Sequence, residues 1–476
     1  MNLNQTLQEK YPHLEVSVLK LSEVKKNIDF RIDDSFWTMK LIYNNKLNYK
    51  KIGECLLKSQ YGISINMNEE GDGIPIYRMN DIDNMLCNFE VKKYALIDKN
   101  ELQTFRLNYG DVLFNRTNSY EFVGRTGIFY NNRENFVFAS YLVRLVCNKE
   151  ILLPEYLTVF LNTHIGKKEI RRRARPSINQ ANVNPEELKE IKIPIFPMEF
   201  QLEIQNLVKD SHKALEESKE LYKKAEETLY LELGLDPKNP LQSLLDSKTN
   251  IPTNSLNISI RTLKESFLKT GRLDSEYYQS KYEDIEKFIK SYPNGYDSFS
   301  NIINNKDTNF TPKNNENYSY IELANIGNNG NISEPISDLG KNLPTRARRI
   351  VSKGDVIISS IEGSLSSCAL ITQEFDKHLV STGFFVLNSK LLNGETLLVM
   401  FKSQIFQEYL KKFPSGTILC AINKEELSKI LIPKIDPTTQ EKIAKYIQES
   451  FNLRKKSKQL LDNAKNKVEE QIQGKT

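Results

Sequence analysis

Apolar and small side chains recur at steps of three and four along two long stretches, residues 196–234 and 436–473. This spacing is typical of a helix that packs along one seam. Each stretch would form a helix of about 50 Å at 1.5 Å per residue. Two such helices in one chain are expected to pack on each other. The predicted seam positions are Phe200, Ile204, Leu207, Ser211, Leu215, Ser218, Leu221, Ala225 and Leu229 in the first helix, and Ile443, Ile447, Phe451, Arg454, Ser457, Leu461, Ala464, Val468 and Ile472 in the second.

The segments that precede the two helices repeat as well. Residues 177–204 and 417–443 both contain Asn, then Glu-Glu-Leu, then Ile-Pro, then a second Pro and a Gln, at an offset of 239 residues. This period is too long for a solenoid unit and indicates a tandem duplication of a domain together with its helix. Matching pairs are Ile193-Pro194 with Ile432-Pro433, Gln201 with Gln440, Gly110-Asp111 with Gly354-Asp355, and residues 31–37 with 272–278.

The repeat divides the chain into five parts: a first domain with its lead-in (1–195), a helix (196–234), a linker with a second lead-in (235–271), a second domain (272–435) and a C-terminal helix (436–476). Short apolar runs separated by Gly and Asn turns predict strands in each domain, and segments such as 154–164 are helical in pattern. The expected fold class is therefore α+β, with two mixed α/β domains of the same fold. The predicted strands are 112–114, 127–130, 141–146, 356–359, 369–372 and 383–387.

Composition changes this picture little. The chain has 476 residues, of which 39% are hydrophobic and 27% charged, so it is globular with room for two or three domains. Its net charge of +5 is modest, so a case for nucleic acid has to rest on local clusters. The five cysteines are scattered without a CxxC pair, which favours a reducing compartment, and no zinc spacing can be drawn. The absence of a signal peptide and of a long apolar run predicts a cytoplasmic protein without membrane contact.

Catalytic motifs are missing from the sequence. It has no phosphate-cradling GxxxxGK[ST], no glycine-rich dinucleotide turn and no motif of an amino-methyltransferase. Glu190 and Lys192 form an ExK of the kind that completes a two-carboxylate nuclease site, but the repeat has Lys429 and Leu431 at the matching positions. We therefore expect no catalytic residues, no cofactor and no metal.

Two basic runs, one in each repeat, predict contacts to DNA phosphates. Residues 167–175 hold six basic residues against one acidic, and residues 341–353 hold five basic and no acidic residues. The alternative, a solvated surface without a ligand, is the usual meaning of such runs. The candidate residues are Lys167, Lys168, Arg171, Arg172, Arg173 and Arg175 in the first run, and Lys341, Arg346, Arg348 and Arg349 in the second.

The loops that follow the two Gly-Asp strands, residues 114–127 and 359–367, are the candidates for reading bases. In such contacts Arg pairs with guanine, Asn with adenine, and Glu accepts from cytosine. Two related scaffolds with unlike loops would suit two unlike half-sites. The alternative, that these residues only form turns, stays open. The candidates are Arg116, Thr117, Asn118, Ser119 and Arg125 in the first loop, and Ser360, Glu362 and Ser364 in the second.

The repeated order of domain, Ile-Pro edge and Gln-led helix, with GDVLFNRTNS and GDVIISSIEGS as strand-loop signatures, resembles the specificity (S) subunits of type I restriction-modification systems over essentially the whole chain. The resemblance implies two target-recognition domains, each reading half of a split DNA sequence, joined by two long antiparallel helices that act as a coiled-coil spacer. It also implies double-stranded DNA, two methyltransferase (modification) subunits and restriction/translocase subunits as partners, and no catalysis by the chain itself. The second repeat departs from the first at Asp436, where the first has Phe196.

Three other functions compete with this hypothesis. A specificity subunit of a type IIB restriction-modification enzyme would differ only in its partners, so neighbouring genes or co-purified proteins would identify it. A stand-alone DNA-binding regulator would bind its site tightly without partners. An unrecognised nuclease or methyltransferase would show activity as the purified chain alone.

Overall fold

A computed structural model describes residues 3–14, 16–39, 41–131, 135–246, 260–327, 329–416 and 419–474. The chain divides into two compact units: unit 1 comprises Met1–Leu215 with Lys455–Thr476, and unit 2 comprises Glu216–Arg454. The first long helix (Met198–Glu232) and the second long helix (Pro437–Gln473) each contribute one segment to each unit. The predicted linker contains the helix Pro240–Asp246, and its residues 247–259 lie outside the described ranges. The boundaries of the two target-recognition domains, which were expected from the sequence, stay a prediction.

Unit 1 is built on a six-stranded sheet in the order β2-β11-β7-β9-β5-β4, accompanied by the sheets β10-β3-β6, β12-β13-β8 and β1-β14. Its strands are β1 Tyr49–Lys51, β2 Leu56–Tyr61, β3 Ile74–Tyr77, β4 Ile82–Asp83, β5 Leu86–Cys87, β6 Tyr94–Ala95, β7 Val112–Asn115, β8 Thr117–Asn118, β9 Thr126–Ile128, β10 Val137–Phe138, β11 Leu142–Cys147, β12 Arg175–Ser177, β13 Gln180–Asn182 and β14 Lys192–Pro194. Its shorter helices are Leu3–Lys10, Leu21–Val24, Asp34–Thr38, Lys99–Phe105, Pro154–Asn162, His164–Arg173 and Pro185–Lys189, with a 3-10 turn at Ile52–Cys55.

Unit 2 contains the sheets β16-β23-β20-β21, β18-β17-β22-β19 and β15-β24. Its strands are β15 Tyr296–Ser298, β16 Ile303–Asn305, β17 Asn317–Ile321, β18 Ile336–Leu339, β19 Ala347–Ile350, β20 Val356–Ser359, β21 Cys368–Leu370, β22 Leu379–Ser381, β23 Phe384–Ser389 and β24 Leu431–Pro433. Its shorter helices are Pro240–Asp246, Phe267–Thr270, Ser280–Lys290, Phe299–Ile302, Gly394–Lys402, Gln404–Leu410 and Lys424–Lys429, with 3-10 turns at Glu276–Tyr278, Leu323–Asn325, Glu362–Ser364 and Gln373–Phe375.

The two units share a strand order. β2-β11-β7-β9 in unit 1 matches β16-β23-β20-β21 in unit 2, and every pair in both sets is antiparallel. The Ile-Pro segments also lie on matching strands, since β14 pairs with β1 and β24 pairs with β15, both antiparallel. The six strands predicted from the sequence and the mixed helix-and-sheet fold class are confirmed. No helix within the described ranges has the length and apolar content needed to cross a membrane.

The buried positions of the first long helix recur at steps of three and four residues. Val208, Ala214 and Tyr222 are buried, whereas Leu207, Leu215 and Leu221 are only half-buried, so the predicted seam was wrong by one residue at these positions. On the second long helix Ser450 is buried and Phe451 is half-buried. In each case a leucine or phenylalanine lies next to the buried position, so the position within the repeat decides burial more than the side chain does.

Serine pairs mark the seam in each unit. In unit 1, Ser211 Oγ lies 2.8 Å from Ser457 Oγ and donates to the Ser457 carbonyl at 3.0 Å. In unit 2, Ser218 Oγ lies 2.9 Å from Ser450 Oγ. In each unit the contacts run in opposite directions along the two helices: Glu203 pairs with Lys467 in unit 1, and Glu232 accepts from Thr439 in unit 2. The helices are therefore antiparallel in both units.

The matching glutamines attach each long helix to its domain. Gln201 accepts from the Leu153 amide at 2.9 Å and donates to the carbonyls of Ile151 and Phe196 at 3.1 and 3.0 Å. Gln440 accepts from the Asn393 amide at 2.9 Å and donates to the carbonyls of Leu391 and Ile435 at 3.1 and 2.9 Å. The duplication thus extends to individual hydrogen bonds.

Asp436, where the repeats differ, begins the second long helix. Its carboxylate accepts from the amides of Thr438 and Thr439 at 2.8 and 3.4 Å. Such contacts satisfy amides that have no partner within the first turn, and Pro437 at the first helical position needs none. At the 239-residue offset Asp436 stands where the first repeat has Pro197, and Phe196 matches Ile435, so the expected match of Asp436 with Phe196 was wrong by one residue. The second repeat therefore gains a helix cap and keeps the buried apolar residue before it.

We expect Gln201→Ala to loosen unit 1 locally, because three backbone groups, two of them in buried contacts, lose their hydrogen bonds, at a cost of about 1–3 kcal/mol. Hydrogen exchange should accelerate at the Leu153 amide and stay unchanged at Asn393. Gln440→Ala should give the reverse pattern. Gln448→Ala, which removes only an exposed bond to Glu395, is the control. Equal exchange at Leu153 in wild type and Gln201→Ala would contradict the assignment.

The Glu226 carboxyl on the first long helix carries a pH dependence in unit 2. Burial raises its pKa from an ordinary value of 4.5 to about 7, although Lys402 opposes the shift. Because the folded pKa exceeds the unfolded one, the ionised carboxylate destabilises unit 2 progressively from about pH 4.5 to pH 7. Below that range the group is neutral in both states, and the penalty disappears.

Glu226→Gln should therefore raise the urea midpoint of unit 2 at pH 8 and leave it unchanged at pH 4.5. The gain at pH 8 is at most about 3 kcal/mol, from about 1.4 kcal/mol per pKa unit. Glu227→Gln, which removes a surface partner of Lys223, is the control and should show no such pH dependence. A gain of equal size at both pH values would refute the explanation.

Candidate nucleic-acid interface

The Gly-Asp turns position both candidate loops in the same way. Gly110 and Gly354 adopt φ angles of +89° and +88°, which glycine reaches without steric cost. The following Asp111 and Asp355 accept at 2.8 Å from the amides of Asn108 and Ser352 respectively. Each turn therefore leads into a strand of four buried residues, β7 or β20, and the candidate loop follows the other end of that strand.

The residue that follows each of these strands, Arg116 or Ser360, is held by its backbone. In unit 1 the Arg116 amide donates to the Tyr141 carbonyl at 3.0 Å, and its carbonyl accepts from Val183 at 2.9 Å. In unit 2 the Ser360 amide donates to Gly383 at 2.9 Å, and its carbonyl accepts from Ile422 at 2.8 Å. The two loops therefore share these backbone contacts although the side chains at this position differ.

In the first loop the side chains divide into structural and accessible ones. Arg116 is half-buried, stacks over Tyr61 at 5.1 Å and donates from Nε to the Ser140 carbonyl at 3.1 Å. Thr117 is buried and donates to Asn182 at 2.5 Å. Asn118 and Ser119 are half-buried, and the Asn118 side chain accepts from the Ser119 amide. Thr117 is therefore oriented to hold the loop, and the remaining predicted residues keep part of their surface open.

Arg125 and the helix His164–Arg173 bring the two predicted clusters of unit 1 together. Arg125 stacks over Phe122 at 4.0 Å. Lys167 and Arg171 are exposed and Lys168 is half-buried. Partial burial, and then the like charges of Lys465, Arg171 and Arg125, lowers the pKa of Lys167. Cations that repel one another in this way favour an anion between them.

The other arginines of the first basic run are engaged with the protein. Arg173 is buried and forms ion pairs with Glu169 and, at 3.6 Å, with Glu187, so we assign it a structural role. Arg172 stacks over Phe36 at 4.3 Å and donates to its carbonyl at 2.6 Å. Arg175 is exposed and pairs with Asp29. This run of basic residues therefore includes both buried side chains, such as Arg173, and exposed ones, such as Arg175.

A β-hairpin beside the first loop was missed by sequence reasoning. β12 and β13 pair around a turn at Ile178 and Asn179, where Asn179 has a φ of +58°, and β13 pairs with β8 of the loop. Ile178 is 90% exposed, and Gln180 is exposed as well. The Asn-centred two-residue turn between short polar runs was the available signal. Lys465 was missed because it lies far away in sequence.

In the second loop Glu362 is exposed, and its amide donates to the Cys420 carbonyl at 3.0 Å. Its carboxylate lies beside the Cys420 thiol, whose pKa is raised by desolvation and then by Glu362. Ser360 donates to the Gly383 carbonyl at 2.9 Å, and Ser364 Oγ lies 2.8 Å from Ser359 Oγ. The two serines therefore stabilise the turn, and the Glu362 carboxylate is the candidate hydrogen-bond acceptor for a base in this loop.

The second basic run is spread over one sheet. Arg348 and Arg349 lie on β19 at one edge, while Lys341 follows β18 at the opposite edge. Arg349 donates to the Phe384 carbonyl, and burial lowers its pKa. Arg348 donates to the Thr345 carbonyl at 2.8 Å. Arg346 is exposed, and its backbone carbonyl accepts from the amide of Thr382. Thr382 is the neighbour of Gly383, whose carbonyl accepts from Ser360 of the second loop. Arg346 is therefore better placed than Lys341 to act together with Glu362.

The ExK residues have ordinary partners. Glu190 pairs with Lys51 at 2.8 Å, and Lys192 lies over the Tyr43 ring at 5.4 Å. Within the ranges that the structure describes, no three His, Cys, Asp or Glu side chains are grouped so that they could hold a metal ion.

Comparisons with known proteins find similar chains among specificity subunits of type I restriction enzymes. A family described as the type I restriction modification DNA specificity domain matches residues 50–227. The type I restriction enzyme MjaX specificity subunit of Methanocaldococcus jannaschii is 22% identical over 424 residues, which cover 88% of this chain and 91% of that protein. The EcoKI specificity subunit of Escherichia coli is 27% identical over 33% of this chain and 34% of its own length.

Two further matches carry the same description. The HindI specificity subunit of Haemophilus influenzae is 30% identical over 32% of this chain and 33% of its own length. A crystal structure of an S subunit from M. genitalium has a TM-score of 0.42 at 14% identity, covering 90% of this chain and 96% of that one. Residues 50–227 thus match the type I restriction modification DNA specificity domain, and the chain is similar over nearly its full length to a type I restriction enzyme specificity subunit.

Proposed function

We propose that this chain reads a two-part DNA sequence, one part with each unit, and recruits methyltransferase and restriction subunits to it. One observation carries the proposal: the same Gly-Asp turn, strand and backbone contacts present unlike side chains, Arg116 against Ser360 and, two residues later, Asn118 against Glu362. A guanidinium and a carboxylate select opposite hydrogen-bonding groups on base edges. The two units therefore suit two different half-sites.

The surrounding cations support a role in holding the DNA backbone. Lys167, Arg171 and Arg125 in unit 1, joined by Lys465, lie near one another with Glu469 as a counter-charge, and phosphates would relieve their mutual repulsion. Arg346 would serve unit 2 in the same way. Such contacts position a protein on DNA without reading its sequence. The hairpin tip at Asn179 and Gln180 adds hydrogen-bonding groups next to the first loop.

Partners complete the proposal. Two methyltransferase subunits would supply the methyl transfer and the restriction subunits the cleavage, with this chain acting in the cytoplasm where its DNA target lies. Methylome sequencing of the host with and without the gene tests the whole proposal. We expect one split methylated sequence to disappear with the gene. A stand-alone regulator would leave the methylome unchanged.

Single substitutions should separate the half-sites. Glu362→Ala should relax base choice in one half-site by about 1–3 kcal/mol, which is about 5- to 150-fold, and Arg116→Ala should do so in the other. Methylome sequencing of hosts that carry each variant measures the effect. Lys341→Ala, on the far edge of the unit 2 sheet, is the control and should leave both half-sites unchanged. Relaxation of the same bases by both loop variants would refute the assignment.

Helix length should set the unread spacer between the half-sites. Deleting four residues near Lys219 shortens the first long helix by about 6 Å, close to two base-pair steps. We expect the methylated sequence to keep both half-sites and to change the number of bases between them. Lys219→Ala alone should preserve the spacer. An unchanged spacer in the deletion variant would count against the helices as its determinant.

A further inference from the structure

The hairpin of unit 1, formed by β12, β13 and the turn between them, presents side chains that the fold does not use. Residues 176–180 are all exposed, and Ile178 in the turn is 90% exposed. A turn that only reversed the chain would usually carry glycine, asparagine or aspartate rather than a branched apolar residue. A single exposed apolar residue is ordinary on a protein surface, so its meaning depends on what lies beside it.

The hairpin belongs to the same small sheet as the first candidate loop. β13 pairs with β8, with Ala181 opposite Asn118. The Val183 amide also donates to the Arg116 carbonyl at 2.9 Å. From Asn118 to Ile178 the backbone crosses one strand spacing and three residues, about 10 Å, which corresponds to about three base pairs of DNA. A duplex bound at the loop is therefore within reach of the hairpin tip.

Unit 2 has a hairpin in the corresponding place. Ser415 and Ala421 exchange backbone hydrogen bonds at 3.0 and 3.1 Å, and the Ile422 amide donates to the Ser360 carbonyl of the second loop at 2.8 Å. Leu419, between the two paired residues, is 59% exposed. Each loop therefore has beside it a hairpin that bears an exposed branched apolar side chain, so the exposure of Ile178 is not an isolated case.

The tip of the unit 1 hairpin carries no charge. Residues 176–182 contain no Asp, Glu, Lys or Arg, and the flanking Arg175 is paired with Asp29. Contacts to DNA phosphates draw largely on Lys and Arg, whereas base edges are also read by neutral amides and apolar groups. The tip is therefore better suited to base edges than to phosphates.

The width of the hairpin selects the groove. A two-stranded β-ribbon fits the major groove of DNA, which is about 12 Å wide, but not the minor groove, which is about 6 Å wide. On the major-groove edges thymine carries a C5-methyl group, and adenine presents a donor and an acceptor to an amide side chain. Ile178 supplies an exposed apolar group, and Asn179 and Gln180 supply exposed amides next to it. Together these side chains match an A·T pair.

We propose that the hairpin tip of unit 1 reads one A·T pair in the major groove, with Ile178 against the thymine C5-methyl and the adjacent amides of Asn179 and Gln180 facing the adenine. This inference rests on the proposed function, because the pair belongs to the half-site of unit 1. Ile178 is then a specificity-determining residue, and its 90% exposure means that the fold does not depend on it.

Replacing thymine by deoxyuridine removes only the C5-methyl group and tests the proposal. The chain, co-expressed with its modification subunit, is titrated with duplexes of the split sequence found in the methylome, in which each thymine of both half-sites is replaced in turn. At one thymine the Kd of the wild type should rise about fourfold, the effect of one buried methyl group. Ile178→Ser should bind that duplex and the unmodified one equally, whereas Ile178→Val, which keeps a branched apolar side chain, should retain the difference.

Leu96→Ser, at a position of unit 1 that is 71% exposed and outside the hairpin, is the control and should behave as the wild type does. Wild-type binding that no replacement weakens, or a weakening that persists in Ile178→Ser, overturns the assignment and leaves the proposed function intact. Loss of the modification subunit from the Ile178→Ser complex shows a protein partner at the tip and also overturns it. A host methylome without a split sequence that depends on the gene overturns both levels of inference.

Discussion

The seam between the two long helices is the interaction on which both hydrophobic cores depend. In unit 1, Val208 from the first helix and Val468 from the second belong to the same buried cluster as the sheet residues. In unit 2, Tyr222 and Ile447 belong to the corresponding cluster. A domain without its helix segments would therefore expose part of its own core, which explains why the duplicated element includes a helix as well as a domain.

Small polar residues keep this seam in register. An apolar seam alone would tolerate sliding by a whole repeat, since each shifted contact would still be apolar. The hydrogen-bonded pairs Ser211 with Ser457 and Ser218 with Ser450 are satisfied only in the observed alignment. Arg454 adds to this in unit 2 by donating to Ser218 at 2.9 Å. Any role of the helices as a spacer requires a register of this kind.

Hydrophobic periodicity and the internal repeat predicted the fold well, because both express constraints that act along the sequence. Burial could not be predicted at the same level. Within one basic run Arg173 lies in the core and Lys167 at the surface, and this difference depends on Glu187, a residue brought close only by folding. Lys465 joined the candidate interface for the same reason. Val208 is buried although the neighbouring Leu207 has the larger side chain, so side-chain size predicts burial less well than the position within the helical repeat.

The candidate site was predictable in its backbone and not in its side chains, and this follows from how the loops are built. Arg116 and Ser360 are fixed through their amides and carbonyls, which every residue except proline can supply in full. Their side chains can therefore differ without loss of the scaffold. A protein that must read different sequences with one fold needs this separation, because a loop held by its own reading side chains could not change its target without losing its shape. Thr117, whose hydroxyl holds the loop, is by this argument a poor candidate for base reading, and Glu362, which is exposed, is a good one.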